Sequence, residues 1–179
     1  MNLMNKFLPI SLVFLGLGCG VAGDQPPATG AGQSIWNSSV SVLVAQDLGG
    51  GFVPQPPQGS SCLSGAKKFT LTVASRGLAW TRCVGSATTP YQPVSDSRVL
   101  SDTELKDLGA VLGNLRVVAR TGACAADAST MTATVTNPLG TQDYVDDLSQ
   151  CAVQDKPLLD RQTLTQALDR FSTLGAPVM

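Results

Sequence analysis

Leu100–Leu115, LSDTELKDLGAVLGNL, is the stretch that decides the fold. Ser101 and Glu104 have the spacing of a capping box, in which the serine hydroxyl accepts a backbone N–H three residues on and the glutamate reaches back. Leu100 and Leu105 stand where a hydrophobic staple closes across that cap. Leu105, Leu108, Val111, Leu112 and Leu115 recur at helical spacing, and Gly113-Asn114 supplies a stop. Asp102, Glu104 and Asp107 lie near the positive end of the helix, so they read as capping and solvated charges rather than a metal cluster. A helix with one apolar stripe needs a second layer to cover it.

The flanking sequence supplies that layer. Ser39–Gln46 is β-branched and reads as a first strand. Lys68–Ala74 alternates, with Phe69, Leu71 and Val73 on one face and Thr70 and Thr72 on the other. Ser75-Arg76-Gly77 turns the chain, and Leu78–Val84 returns as the second arm of a hairpin, with Trp80 as a core anchor. Arg116–Arg120 reads as a further strand, and Thr130–Thr136 with Thr141–Leu148 as a second hairpin about Asn137–Gly140. Asp160–Leu174 is the second helix: Asp160 caps it, Leu164, Ala167, Leu168, Phe171 and Leu174 share a face, and Gly175 with Pro177 ends it. The expected fold is therefore α+β. An antiparallel sheet of five to six strands carries two amphipathic helices on one face, in a single domain over residues 35–179. Asp143, Tyr144, Asp146 and Asp147 fall on or beside the last strand, without the fixed steps and internal glycine of a calcium loop, and read as solvated surface.

Composition narrows the chemistry. The chain has no histidine, which removes Ser-His-Asp and Cys-His catalysis and the commonest ligand of zinc, copper and iron. No nucleophile–base pair stands out, so no catalytic residue, metal or cofactor is expected. Beyond the first nineteen residues, eleven basic and thirteen acidic residues remain with no basic stripe, so nucleic acid is not an expected partner. The five cysteines are Cys19, Cys62, Cys83, Cys124 and Cys151. Setting Cys19 aside leaves four, with three possible pairings. A hairpin centred on Pro138-Leu139 sets Cys124 nearly opposite Cys151, which favours that pair and leaves Cys62 for Cys83. Two bridges would add about 3 kcal/mol each to a small body.

Lys6 precedes an eleven-residue apolar run, Phe7–Leu17, too short for a transmembrane helix of roughly 20 residues but suited to an export signal. Leu15-Gly16-Leu17-Gly18-Cys19 resembles the end of a bacterial lipoprotein signal. The resemblance implies a signal peptide over residues 1–18, lipidation at Cys19, and a membrane partner reached through the lipid. It implies a place in the bacterial cell envelope, with Gly20 pointing to the outer membrane. A cut after Gly23, giving a secreted protein, is the alternative. Residues 19–34, rich in Gly, Pro and Ala, would then form a flexible tether.

Between the first strand and the first hairpin runs a long loop. Gly49, Gly50, Gly51, Phe52 and Pro54 form its candidate binding segment, and Pro56 and Pro57 stiffen the returning limb. Gly49-Gly50-Gly51-Phe52, the Leu100-Ser101-x-x-Glu104-Leu105 helix start, the late strand pair and the closing helix together resemble the emfourin-type inhibitors of thermolysin-like metalloproteases. The likeness spans residues 39–174 and implies a non-catalytic protein-binding module whose partner is a metalloprotease. An envelope lipoprotein serving structure or assembly through its sheet edge is the other expectation.

Overall fold

The computed structural model describes residues 27–49, 55–122, 124–125 and 127–176. The expected signal peptide and Cys19 lie outside the described residues. The fold is α+β. One sheet has eight strands: β1 (Val42–Asp47), β2 (Lys67–Thr72), β3 (Gly77–Val84), β4 (Gln92–Val99), β5 (Val117–Val118), β6 (Met131–Asn137), β7 (Gly140–Asp146) and β8 (Leu158–Leu159). Their order is β4-β3-β2-β1-β6-β7-β8-β5. Two helices, α1 (Asp102–Leu112) and α2 (Arg161–Leu174), complete it.

The sheet exceeds the expected five to six strands, and it is not wholly antiparallel, because β7 and β8 run parallel through Val145–Leu158 and Asp146–Leu159. The two additional strands carry no sequence signature. β4 (QPVSDSRV) is exposed along nearly its whole length, so it lacks the alternation that one-sided burial imposes. β8 is two leucines, too short for any period to register.

The core lies on one face of the sheet. Register brings Leu43 opposite Leu71 and Val135, and Ala45 opposite Phe69 and Ala133, all buried. Across the next pair Phe69 meets Trp80 and Leu71 meets Leu78. The helices bury Leu108 and Leu112 from α1, and Leu164, Ala167, Leu168, Phe171 and Leu174 from α2, into that same cluster. Phe171 stacks on Phe69, with ring centroids 5.5 Å apart and planes 12° apart, fastening α2 to the sheet. The other face, with Val42, Val44, Thr70, Thr72, Thr132 and Thr134, is only half-buried.

The helix ends are tied to the sheet by two arginines. Ser101 caps α1 in a complete capping box with Glu104, as its spacing dictates. Arg98 of β4 grips the Glu104 carboxylate with Nη2, at 2.7 and 2.9 Å, and donates through Nη1 to the Leu174 carbonyl at the end of α2. Arg82 donates to the Ser172 carbonyl at 2.9 Å. Both cations thus sit where the negative end of the α2 dipole favours them. Gly175 ends α2 with a negative φ, so its requirement is room: a Cβ there would lie 3.0 Å from the Trp80 ring and from Arg82 Nη2.

The packed chain begins ahead of the expected boundary at 35. Gly32 N–H donates to Val117 O and Val117 N–H to Gln33 O, Ile35 N–H donates to Leu115 O, and Ser34 bridges Arg116. Residues 27–34 therefore lie against the body beside β5. The buried Tyr144 hydroxyl donates to Ala28 O at 2.7 Å, and burial pushes its pKa up to about 12.

Asp146 corrects the reading of the last strand as solvated. Its side chain is fully buried. It accepts from Met131 N (2.8 Å), Leu148 N (3.1 Å), the Ser149 hydroxyl (2.7 Å) and Arg161 Nη1 (2.9 Å). Asp143, by contrast, is exposed and paired with Lys156 at 3.1 Å.

Replacing Asp146 with alanine removes the anionic partner of Arg161 and leaves two backbone N–H groups without their acceptor, and is expected to cost about 3–5 kcal/mol in urea unfolding. Asp146→Asn keeps an acceptor oxygen and should lose less. The Glu104 carboxyl is held below its ordinary 4.5, first by the Ser101 N–H and hydroxyl and then by Arg98. A carboxyl depressed in the fold contributes stability above its unfolded pKa and loses it as pH falls through the folded one. Stability should therefore decline on acidification below about 4.5. Glu104→Gln should flatten that part of the profile when unfolding is measured against pH.

Candidate functional site

The four body cysteines close as expected. Cys62 bonds Cys83 with Cα atoms 5.9 Å apart, and Cys124 bonds Cys151 at 6.0 Å. The first bridge stands at one end of the sheet, where the long loop leaves β1 and returns to β2. Gly50, Gly51, Phe52 and Pro54 of the candidate binding segment lie outside the described residues. Gly49 and residues 55–66 show how both roots of the loop are held.

On the outgoing side, Gly49 has φ +68 and donates its N–H to the Asp47 carboxylate at 2.9 Å. A Cβ at Gly49 would stand 2.6 Å from Ser64 O and 2.7 Å from Ala66 N. Only glycine lets the two limbs of the loop meet backbone to backbone there. On the returning side, the Ser60 hydroxyl accepts from Tyr91 N, Ser61 N–H donates to Tyr91 O, and the Gln92 amide donates to Gly59 O. The limb is thereby sewn to the start of β4, and the Cys62–Cys83 bridge clamps it to β3.

Between these roots lies a groove of about 200 Å³, mostly apolar, lined by Leu48, Ala66, Pro93, the Cys62–Cys83 bridge and Lys68. Leu48 is 41% exposed, a large apolar side chain presented to solvent at the base of the loop. Lys68 makes no ion pair among the described residues, whereas its neighbour Lys67 pairs with Asp169 of α2 at 3.6 Å. The groove thus combines apolar walls with the unpaired ammonium of Lys68, beside Lys67 and the Asp47 carboxylate that holds the Gly49 N–H.

The free edge of the sheet is β4. Leu100 N–H donates to Arg76 O, which fixes the alternation of β3–β4 bonds and turns the backbone groups of Pro93, Ser95, Ser97 and Val99 outward. Pro93 has no N–H to offer, and the Asp96 carboxylate takes the Ser97 N–H at 2.7 Å. The edge is blunted against pairing with another strand.

The sequence did not single out Leu48 or Lys68. A leucine placed after the strand, outside its alternation, is the signal that Leu48 offers; Lys68 offers none until the groove forms. Among the described residues, no group of three or more His, Cys, Asp or Glu could hold a metal ion, and no helix is long and apolar enough to cross a membrane. In comparisons with known proteins, the chain has no significant match to any family model, curated protein or solved structure.

Gly49→Ala should destabilise the protein by about 2 kcal/mol or more in thermal or urea unfolding, because it combines a left-handed backbone with a backbone clash. Gly65, also at positive φ but with open space around a Cβ, serves as the control and should lose less when changed to alanine.

Proposed function

We propose that this chain is a non-catalytic, envelope-anchored module that binds another protein through the disulfide-walled groove and the long connection between β1 and β2. The observation that carries the reading is the pairing of exposed Leu48 with a loop whose two roots are fixed by Gly49 and by the Cys62–Cys83 bridge. A pre-organised apolar contact loses less conformational entropy on binding than a free loop would. The resemblance to emfourin-type inhibitors directs the first test to thermolysin-like metalloproteases. The blunted edge of β4 speaks for recognition through the groove rather than assembly by strand addition.

Export is part of the same proposal. Two closed disulfides favour an oxidising compartment. They also leave Cys19 as the odd thiol, available for a lipid that would hold the protein in the bacterial envelope, with the outer membrane favoured. Secretion after cleavage is the alternative, and the two differ in what the mature N-terminus carries.

Titrating the purified protein against a thermolysin-like metalloprotease is expected to reduce peptide hydrolysis. Leu48→Asp should weaken that effect at least tenfold, since burying a leucine is worth about 1.5–3 kcal/mol. Full protease activity at high excess would remove the inhibitor reading. Crosslinking in intact envelopes, compared between the parent and Leu48→Asp, would then test binding to another protein. Mass spectrometry of the mature N-terminus should find a diacylated Cys19, and Cys19→Ala should release the protein from the membrane fraction.

A further inference from the structure

A second cavity, of about 500 Å³, lies away from the groove, where residues 27–37 pass the start of β5. Its lining includes Gln33, Trp36, Asn37 and Arg116 and is mostly polar. The hydrogen bonds around it commit the two amide oxygens and leave the amide N–H groups, while the Thr29 hydroxyl of the lining makes no side-chain bond among the described residues. Gln33 Oε1 accepts from Thr29 N and Gly30 N, at 3.2 and 3.0 Å, which fixes the amide and leaves Nε2 without a partner among the described residues. Asn37 Oδ1 accepts the Ser39 N–H and hydroxyl, leaving Nδ2 in the same state. Arg116 spends Nη1 on Gly32 O at 3.1 Å and keeps its remaining N–H groups. The Trp36 indole N–H has no acceptor among the described residues, although the ring packs on the core beside Gly109. No carboxylate lines the cavity, and Arg116 is its charged group.

A cavity whose free side-chain groups are mainly N–H donors, with the Thr29 hydroxyl beside them and one cation unmatched by any lining carboxylate, fits a ligand rich in acceptors and negatively charged. The part-exposed indole adds a flat apolar surface, and the volume falls within the roughly 300–1,000 Å³ of small-molecule sites. The polar lining suits hydroxylated rings and not an acyl chain. From this juxtaposition of Trp36, Arg116, Gln33 and Asn37 we propose that the cavity binds a saccharide carrying a carboxylate, its ring against the indole and its acid group on Arg116. This site is separate from the groove and does not depend on the protein-binding reading.

The test uses the full chain, with galacturonate disaccharide as the probe and the uncharged galactose disaccharide as its counterpart. Binding is followed by the indole N–H resonance of Trp36. The expected result is a saturable shift with the acid sugar, at least tenfold weaker binding of the neutral one, and loss of that difference in Arg116→Gln, because a charge-assisted bond contributes about tenfold or more. The thermal midpoint of Arg116→Gln, an exposed position, reports that the variant is folded. Three results would each overturn the proposal: no shift with the acid sugar, equal affinity for both sugars, or unchanged discrimination in a folded Arg116→Gln.

Discussion

The buried carboxylate of Asp146 is the constraint on which the rest of the fold depends. It sits where β7 ends, and its four donors come from β6, from the turn after β7, and from the first residue of α2. Removing a carboxylate from water costs several kcal/mol unless its lone pairs are filled. Here the donors fill them, and hydrogen bonds to charged groups contribute about 1.5–3 kcal/mol each. The partner guanidinium is not sealed in: Arg161 keeps 20% of its side chain exposed and also donates to Ser129 O at 2.7 Å. The desolvation cost therefore falls mainly on one ion. The same group ties down the entry of α2, whose first residue, Arg161, reaches back to β7 beside the Asp160 cap.

Once α2 is set at its first residue, its last turn is caught by the opposite half of the sheet. Arg82 and Arg98 supply donors to its terminal carbonyls, Trp80 closes against Gly175, and Phe69 stacks on Phe171. Arg98 also holds Glu104, so the beginning of α1 and the end of α2 share one guanidinium. The two helices are thus coupled through β4, a strand that contributes almost nothing to the core. Its polar sequence is explained by this role and by the need to blunt an open edge.

The disulfides act outside this framework. Neither joins core strands to each other; each ties a loop to the body, Cys62 to β3 and Cys124 to the turn beyond β7. Shape in the long connections is supplied covalently where burial cannot supply it. The groove with Leu48 and the cavity with Trp36 both lie beside such externally held segments, one clamped by a bridge and the other by backbone bonds to β5. Recognition surfaces on a small domain need this kind of support, because exposed side chains are rigid only when the chain beneath them is.

Sequence alone determined whatever is encoded within a few residues of itself. The capping box at Ser101 and Glu104, the apolar stripe of α2 and the hairpin that brings Phe69 to Trp80 arise from local spacing. The bridge between Cys124 and Cys151 followed from hairpin geometry. The tertiary structure alone decided the rest. β4 and β8 exist because a neighbour offers them backbone partners; residues 27–34 are ordered because Val117 and Tyr144 receive them; and Asp146 became a buried hub because three elements converge on it. Periodicity records one-sided burial and nothing else. An edge strand exposed on both faces, a two-residue strand, and a polar group buried by distant partners leave no period to read.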